Sequence, residues 1–442
     1  MTRSTFDLDY IRDYLINKSI GGIRGTSFFP YAITIDPCPI LQSELDIIRD
    51  TAPSFGNILL NLSRNRPLLT DILADTAAAD PFTAGLIKIM NTVSRDERVE
   101  VNVLRSDYFI DKDTGDVQQV ELNCISSGLA CLSERANAMH QYIHPELHTV
   151  RLPSERDAVQ LMFDAAVARA GVARPTVLFV VQGRETNRCD QRAHEIGLNE
   201  LGARTMRRTL TQLADATIFD GDLVVDDAVI DMVYFRAGYG PEDYPTDREW
   251  AARAAIEQSS AAKLPTVPMQ LVGAKKVQQA LCDETLLAKV LDEDEADSVR
   301  RVFAPMGALP PEPDAFIQDV LAHPADFVLK PQREGGGHNV FGAEVGAAIR
   351  DLYAGKGDRD AWIVMKRIRP RVESRRFVGT DGEVAEAGLV AEIGPFIGVL
   401  AVDGEVKVNQ MIGMLVRSKP ENVDEGGVMS GVAIFDTLYV VD

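Results

Sequence analysis

No two cysteines in this chain are spaced as a metal or redox pair; Cys38, Cys124, Cys131, Cys189 and Cys282 are scattered and odd in number. That usage argues against a disulfide scaffold and a structural zinc, and for a reduced compartment. No run of about eighteen apolar residues exists, so no membrane-spanning helix is expected. The opening stretch, MTRSTFDLDYIRDYLINKS, carries acids where a secretory leader would carry its apolar core. These absences together point to a cytoplasmic protein. Positive charge is also scarce: 46 Lys and Arg stand against 66 Asp and Glu, for a formal net charge of -20. A surface of that sign excludes general binding to nucleic acid or to anionic membranes. An anionic ligand would need a local basic pocket set in an acidic surface. The signatures GxxxxGK[ST], GxSxG and HExxH are missing as well. His140 and His144 are helix-spaced but lie in an acid-poor stretch, which suits surface or capping positions.

What is present is a chain of 442 residues, 45% hydrophobic and 25% charged, long enough for two or three packed domains. Up to about residue 100 the periodicity is helical, over Ser43 to Ile48, Ile58 to Ile72 and Pro81 to Val93. Val99 to Val103 then reads as a strand leading into Arg105, and Val117 to Ile125 as another. A block from 174 to 273 looks like its own α/β unit, opening with the apolar run TVLFVVQ. It continues through a helix near Cys189 to Leu201 and returns through strands near Leu223 and Met232 to Phe235. The alanine-rich Trp250 to Lys263 reads as a helix. From 274 onward come helices to Phe303, a strand into Lys330, another at Trp362 to Ile368, and strands around Val390, Val399 and Val408. The division is therefore 1–173, 174–273 and 274–442.

The most informative stretch is Phe327 to Gly342, FVLKPQREGGGHNVFG. An apolar strand delivers Lys330, then Glu334, into a loop opening with Gly335, Gly336 and Gly337. A lysine suits phosphate charge, a carboxylate suits a divalent cation, and glycines let backbone N–H groups approach phosphate oxygens. Taken alone, the glycine triplet favours a plain turn with solvated charges, because most glycine clusters are only turns. Glu121 and Asn123 flank Leu122 on a predicted strand, on one face and roughly 7 Å apart. Such an acid and amide oxygen can share a magnesium ion, or form the polar face of an edge strand. Glu185, Asn187 and Gln191 follow the TVLFVVQ strand, at the end where open α/β sheets bind ligands, although Asn187 could merely cap a helix. Arg236 and Tyr239 end a second strand in the same way. Lys275 opens a helix. Met411 to Val416 reads as a strand that delivers Arg417 and Lys419, followed by the loop Asp424 to Gly431, in the manner of a lid over an anionic intermediate or of a solvated basic turn.

Taken in order, these segments resemble the eukaryotic-type glutathione synthetase family of the ATP-grasp fold. The carriers are FVLKPQREGGGHN, VELNCIS, ETNRCDQRA, VYFRAGYGPEDY, QLVGAKKVQQAL and LVRSKPENVDEGGVMSGVA. The resemblance implies a mixed α/β, ATP-grasp ligase with an inserted parallel α/β substrate-binding domain and closing lid loops. It implies Mg2+ on Glu121, Asn123 and Glu334. ATP phosphate and loop contacts fall to Glu121, Lys275, Lys330, Gly335 to Gly337, Asn339 and Phe341, and the adenosine side to Met365, Ile368, Glu392, Lys419 and Glu425. Arg105, Ser126, Glu185, Asn187, Gln191, Arg236, Tyr239 and Arg417 fall where γ-glutamylcysteine or the product binds. Val428 and Met429 fall where a loop closes over the acceptor. The implied reaction joins γ-glutamylcysteine to glycine with ATP through an acyl phosphate, with Arg417 steadying its charge, in a homodimer. The chain departs from the family pattern at Gly128, usually serine, at His338, usually asparagine, and at Phe341, usually tyrosine. It departs again at Met429 and Ser430, where the family loop usually has two alanines. The last pair opens the alternative of β-alanine or serine as acceptor; a non-catalytic thiol-peptide-binding relative is the reading of a different class.

Overall fold

The computed structural model describes residues 7–93, 98–332, 338–428 and 431–441. Its centre is a mixed sheet of eleven strands. In chain order they are β1 (Ile33–Thr34), β2 (Val99–Ile110), β3 (Val117–Asn123), β4 (Thr176–Val180), β5 (Arg204–Arg208), β6 (Met232–Phe235), β7 (Ala262–Leu264), β8 (Val372–Val378), β9 (Val384–Val402), β10 (Glu405–Pro420) and β11 (Ile434–Asp436). Their spatial order is β8-β1-β11-β10-β9-β2-β7-β6-β4-β5, with β3 on β2. The half from β5 to β2 is parallel, and β2, β9 and β10 are antiparallel neighbours. The chemistry of each half shows in its residues. The continuous apolar run of β4 is buried between parallel partners, as strands covered on both faces must be. β10 instead carries polar residues between apolar ones, because one of its faces lines a cavity.

The helices Gln42–Arg64 and Pro81–Thr92 stand close to where the periodicity places them, and Ile58 to Ile72 divides at Asn65 between two helices. Leu45, Ile48, Phe55, Leu59 and Leu62 bury one stripe of the first, which packs on β9 and β10. Three expectations are revised. The helix ending the α/β block stops at Gln258, and Ala262–Leu264 is instead a buried strand beside β2. Alanine-rich composition favours helix locally, but the pairing with β6 and β2 prevails. The strands around Val390 and Val399 are one strand of nineteen residues, which runs on through bulges at Phe396/Ile397 and Leu400/Ala401. His144 does cap the helix Ala130–Ile143, but neither histidine is at the surface: both are buried, with His140 Nε2 donating to the Thr34 carbonyl at 2.7 Å and its Nδ1 accepting from Thr437 at 2.9 Å. Among the described residues no helix is long and apolar enough to cross a membrane.

A separate three-stranded sheet, Met306–Gly307, Trp362–Lys366 and Phe327–Pro331, is antiparallel and carries its own apolar cluster around Leu329, Val345, Ile349 and Val364. It faces the central sheet across the site.

Candidate active site

Two-residue periodicity builds the floor. Arg105 and Asp107 lie on one face of β2, and Asn123 and Glu121 stand directly across from them on β3. A bulge at Asp107/Tyr108 leaves Val120 without a register partner. That extra residue separates two side chains the sequence would put together. Gln119 turns under the sheet to donate to Ser106 Oγ at 2.7 Å, whereas Glu121 faces the cavity. The Val120 carbonyl accepts a hydrogen bond from Lys330 Nζ at 2.7 Å, so the bulge also seats the lysine. On the other side of β2, Glu392 of β9 stands across from Arg417 of β10. Arg417 and Lys419 therefore lie within a strand, not beyond its end. The strand continues because Ser418, between them, turns inward to Asp436 and the guanidinium of Arg375.

The charges are tightly interlocked. Arg105 donates to Asp107 at 2.6 Å and 2.8 Å, Arg417 reaches Asp107 at 3.2 Å, and Arg417 also pairs with Glu392. Lys275 Nζ is 3.7 Å from Glu121. Burial alone would raise the Glu121 carboxyl, but Lys275 and Lys330 outweigh it and hold it down at about 2. Burial lowers Lys330 to about 8, partly opposed by Glu121. For Arg417 burial works against the charge, yet Glu392 and Asp107 raise its affinity for the proton.

Beyond the C-terminal ends of β4 and β6 lies the second half of the site, where loops of parallel sheets gather ligands. Arg236 is buried. Its Nη1 donates to Asp190 at 3.1 Å and to Tyr234 at 3.0 Å, and its Nε has no partner among the described residues. Asn187 precedes the helix Arg188–Glu200 without capping it; its buried Oδ1 has no partner among the described residues, and its N–H donates to Glu185 at 2.9 Å. Gln191 Oε1 accepts from Arg207 at 2.6 Å, Tyr239 accepts from Gln182 at 2.9 Å, and Ser126 donates to the Phe235 carbonyl at 3.1 Å.

The third side is the loop after β10. Arg367 donates to Asp424 at 2.6 Å and its guanidinium lies 5.7 Å from the Phe341 ring centroid. Lys419 holds the Asp424 carbonyl, and Asn339 holds Glu425. All of this surrounds one cavity of about 510 Å³. Arg105, Glu121, Asn123, Ser126, Glu185, Asn187, Gln191, Arg236 and Tyr239 line it, and so do Lys330, Asn339, Phe341, Met365, Ile368, Glu392, Arg417, Lys419 and Glu425. Lys275 stands behind Glu121. Val428 is not brought to the cavity: its apolar side chain is 2% exposed and packs in the cluster of Ala433 and Phe435. Glu334, Gly335 to Gly337, Met429 and Ser430 lie outside the described residues. Sequence reading passed over Asp107 and Asp190. The first carried a signal, standing two residues from Arg105 on the same strand face; the second is positioned by the fold alone.

A magnesium ion fits the donors present. Glu121 is ionised, and Asn123 spends its amide nitrogen on Asp107 at 3.0 Å, which leaves its oxygen for a hard cation.

A model of the eukaryotic glutathione synthase ATP-binding domain matches residues 17–440. The chain is 34% identical over 439 residues to the chloroplastic glutathione synthetase of Solanum lycopersicum, covering 95% of this chain and 80% of the relative. It is 32% identical over 438 residues to the glutathione synthetase of Homo sapiens, covering 94% and 90%. In three dimensions it is similar to a glutathione synthetase-like effector of Globodera pallida in its apo form. The TM-score is 0.80 at 16% identity, over 100% of this chain and 99% of the other, a likeness of fold.

Proposed function

Because this chain belongs to the eukaryotic glutathione synthase family, whose members are ATP-dependent ligases, we propose that it joins γ-glutamylcysteine to glycine with ATP as co-substrate. The observation that carries the reading is the pairing, in one cavity, of an ionised carboxylate flanked by Lys275 and Lys330 with fixed guanidinium groups at Arg105, Arg236 and Arg417. Those groups suit phosphate at one end and substrate carboxylates at the other.

The reaction needs two displacements. The cysteinyl carboxylate oxygen attacks the γ-phosphorus and the bond to ADP breaks. The glycine amine then attacks the acyl carbon, loses a proton, and phosphate departs with the bonding electrons. Glu121 and Asn123 would hold magnesium, which when bound would supply positive charge for the phosphates. Lys330 and Lys275 add to that charge from the protein side. Arg417 is fixed by Asp107 and Glu392 before any ligand arrives, so it can stabilise the acyl phosphate and its tetrahedral successor without reorganising. The buried, unpartnered Nε of Arg236 and Oδ1 of Asn187 suit a substrate carboxylate and a substrate N–H. The loop tied down by Arg367, Lys419 and Asn339 suits exclusion of water, which would otherwise hydrolyse the acyl phosphate. The phosphoryl transfer needs no general base, since it runs on positioning and electrostatics, and the proton lost by the amine leaves with the departing phosphate.

The test is ADP release with γ-glutamylcysteine and, in turn, glycine, β-alanine and serine. Glycine is expected to give the highest kcat/KM. No release above background with any acceptor refutes the ligase, and a preference for β-alanine or serine refutes glycine as the acceptor. The same reading takes the enzyme as a cytoplasmic homodimer divided at 1–173, 174–273 and 274–442. Light scattering at twice the 48.4 kDa chain mass checks the dimer.

A further inference from the structure

We propose that Asp107 is the positioning residue on which the metal side and the arginine side of the site are jointly built; this rests on the ligase reading above. Asp107 is 1% exposed, and its two oxygens accept four hydrogen bonds from three residues. Oδ1 takes Arg105 Nε at 2.6 Å; Oδ2 takes Arg105 Nη2 at 2.8 Å, Asn123 Nδ2 at 3.0 Å and Arg417 Nη2 at 3.2 Å. A buried ion pair that served only stability would need one partner. Here a single carboxylate fixes two guanidinium groups that line the cavity and one amide on the neighbouring strand.

The amide contact has a directional consequence. A carboxylate flanked by two guanidinium groups only accepts, so at 3.0 Å, with the Arg105 carbonyl adding a longer contact at 3.4 Å, it selects the Asn123 rotamer that presents NH2 to Asp107. The Asn123 oxygen then faces away from Asp107, beside Glu121, where a hard cation takes oxygen donors. Asp107 thereby sets a metal ligand it does not replace. The surrounding backbone makes room for this. A side chain at Gly394 on β9 would come within 2.5 Å of Asp107 Oδ1 and 2.8 Å of Arg105 Cδ. The register that pairs Arg105 with Asn123 sets Asp107 across from Glu121, and the bulge begins only after it.

Replacing Asp107 by asparagine keeps its shape and removes its charge. One of the new amide's two ends must then turn a donor toward a donor. With ATP, γ-glutamylcysteine and glycine saturating, Asp107→Asn is expected to raise the half-activating Mg2+ concentration about tenfold, as loss of a partner that orients a metal ligand does, and to lower kcat. The exchange variant Asp107→Asn/Asn123→Asp places a carboxylate directly at the ligand position. It is expected to recover the Mg2+ dependence while kcat stays low, because Arg105 and Arg417 still meet an amide. A merely structural role would lower the thermal midpoint and leave the Mg2+ dependence untouched, and that result overturns the proposal. The exchange variant preserves the charge count and carries the test even if the single variant does not fold; wild-type kcat in it overturns the positioning of the arginines. If the unmutated chain releases no ADP with any acceptor, the ligase reading fails instead. Mg2+-dependent ATP binding of the same variants then decides the role of Asp107.

Discussion

Gly128 lies against Arg236, and its neighbourhood makes the absence of a side chain there a measurable constraint. A Cβ built on Gly128 would lie 2.4 Å from Arg236 Nη2 and 3.1 Å from its Cζ. The end of an arginine can usually swing away at little cost, but this one is held at Nη1 by Asp190 at 3.1 Å and Tyr234 at 3.0 Å, with 5% of the residue exposed. Relief to ordinary contact needs a shift of about 1 Å, which lengthens both bonds beyond hydrogen-bond range. Weakening a buried, charge-assisted bond while overpacking its surroundings costs about 2–3 kcal/mol. If Arg236 binds the dipeptide, the loss falls on its binding and orientation. Gly128→Ala is then expected to lower kcat/KM for γ-glutamylcysteine by roughly 30- to 150-fold, mainly through KM, while KM for ATP holds. Steady-state kinetics with each substrate varied separately, alongside a thermal melt, measures this. A variant with unchanged KM for the dipeptide refutes the reasoning, even if its melting temperature falls, because the strain would then have been absorbed away from the substrate.

Arg417→Ala is expected to lower kcat by about 100-fold or more, the scale for removing one donor to developing charge, while ATP affinity from calorimetry changes little; unchanged turnover sinks its assigned role. Asp190→Asn is expected to raise KM for γ-glutamylcysteine and leave KM for ATP alone, since it releases Arg236 from its anchor; equal change in both KM values would count against it. His140 gives a pH prediction. Burial lowers it to about 4, with Asp436 opposing and His144 and Arg375 adding to the shift. The folded state therefore prefers the neutral ring, and its stabilisation is complete above the ordinary pKa of about 6.5 and declines as pH falls toward 4. The full difference is about 3 kcal/mol. The melting temperature of His140→Gln should fall less between pH 7 and pH 4.5 than that of the unmutated chain, and parallel curves would contradict the assignment.

Much of the site was legible because its residues sit where local rules put them. Lys330 ends an apolar run that is a strand, Glu121 and Asn123 share a strand face, and Arg236 and Glu185 follow the ends of parallel strands. The cavity unites these segments, which are far apart in sequence. What escaped depended on partners that arrive from elsewhere. His140 lies in the last turn of a helix and His144 caps it, but both rings are covered by residues 34, 35 and 437, from opposite ends of the chain. The bulge at Val120 is invisible in VQQVELN, whose alternation alone would send Gln119 and Glu121 to the same side. Val428 looked like part of a closing loop, yet an apolar residue beside Ala433 and Phe435 gains more from the core than from a polar cavity.

The acidic surface and the basic site are two halves of one electrostatic arrangement. With a formal charge of -20, the chain repels polyanions at large. The cavity gathers Arg105, Arg236, Lys330, Arg417 and Lys419, with Lys275 behind. These cations would repel one another in a buried space, and each cluster is accordingly bound to a carboxylate: Asp190 under Arg236, Asp107 and Glu392 under Arg417, Glu121 between the lysines. Glu121, Asp190 and Glu392 are ill suited to act as general bases, because the cations around them hold their carboxyls below the usual range against the effect of burial. This is why the site reads as machinery for placing charge. On the proposed reading, incoming phosphates and carboxylates would take over part of the pairing that Asp107 and Glu392 provide beforehand, and the guanidinium groups would not need to move to meet them.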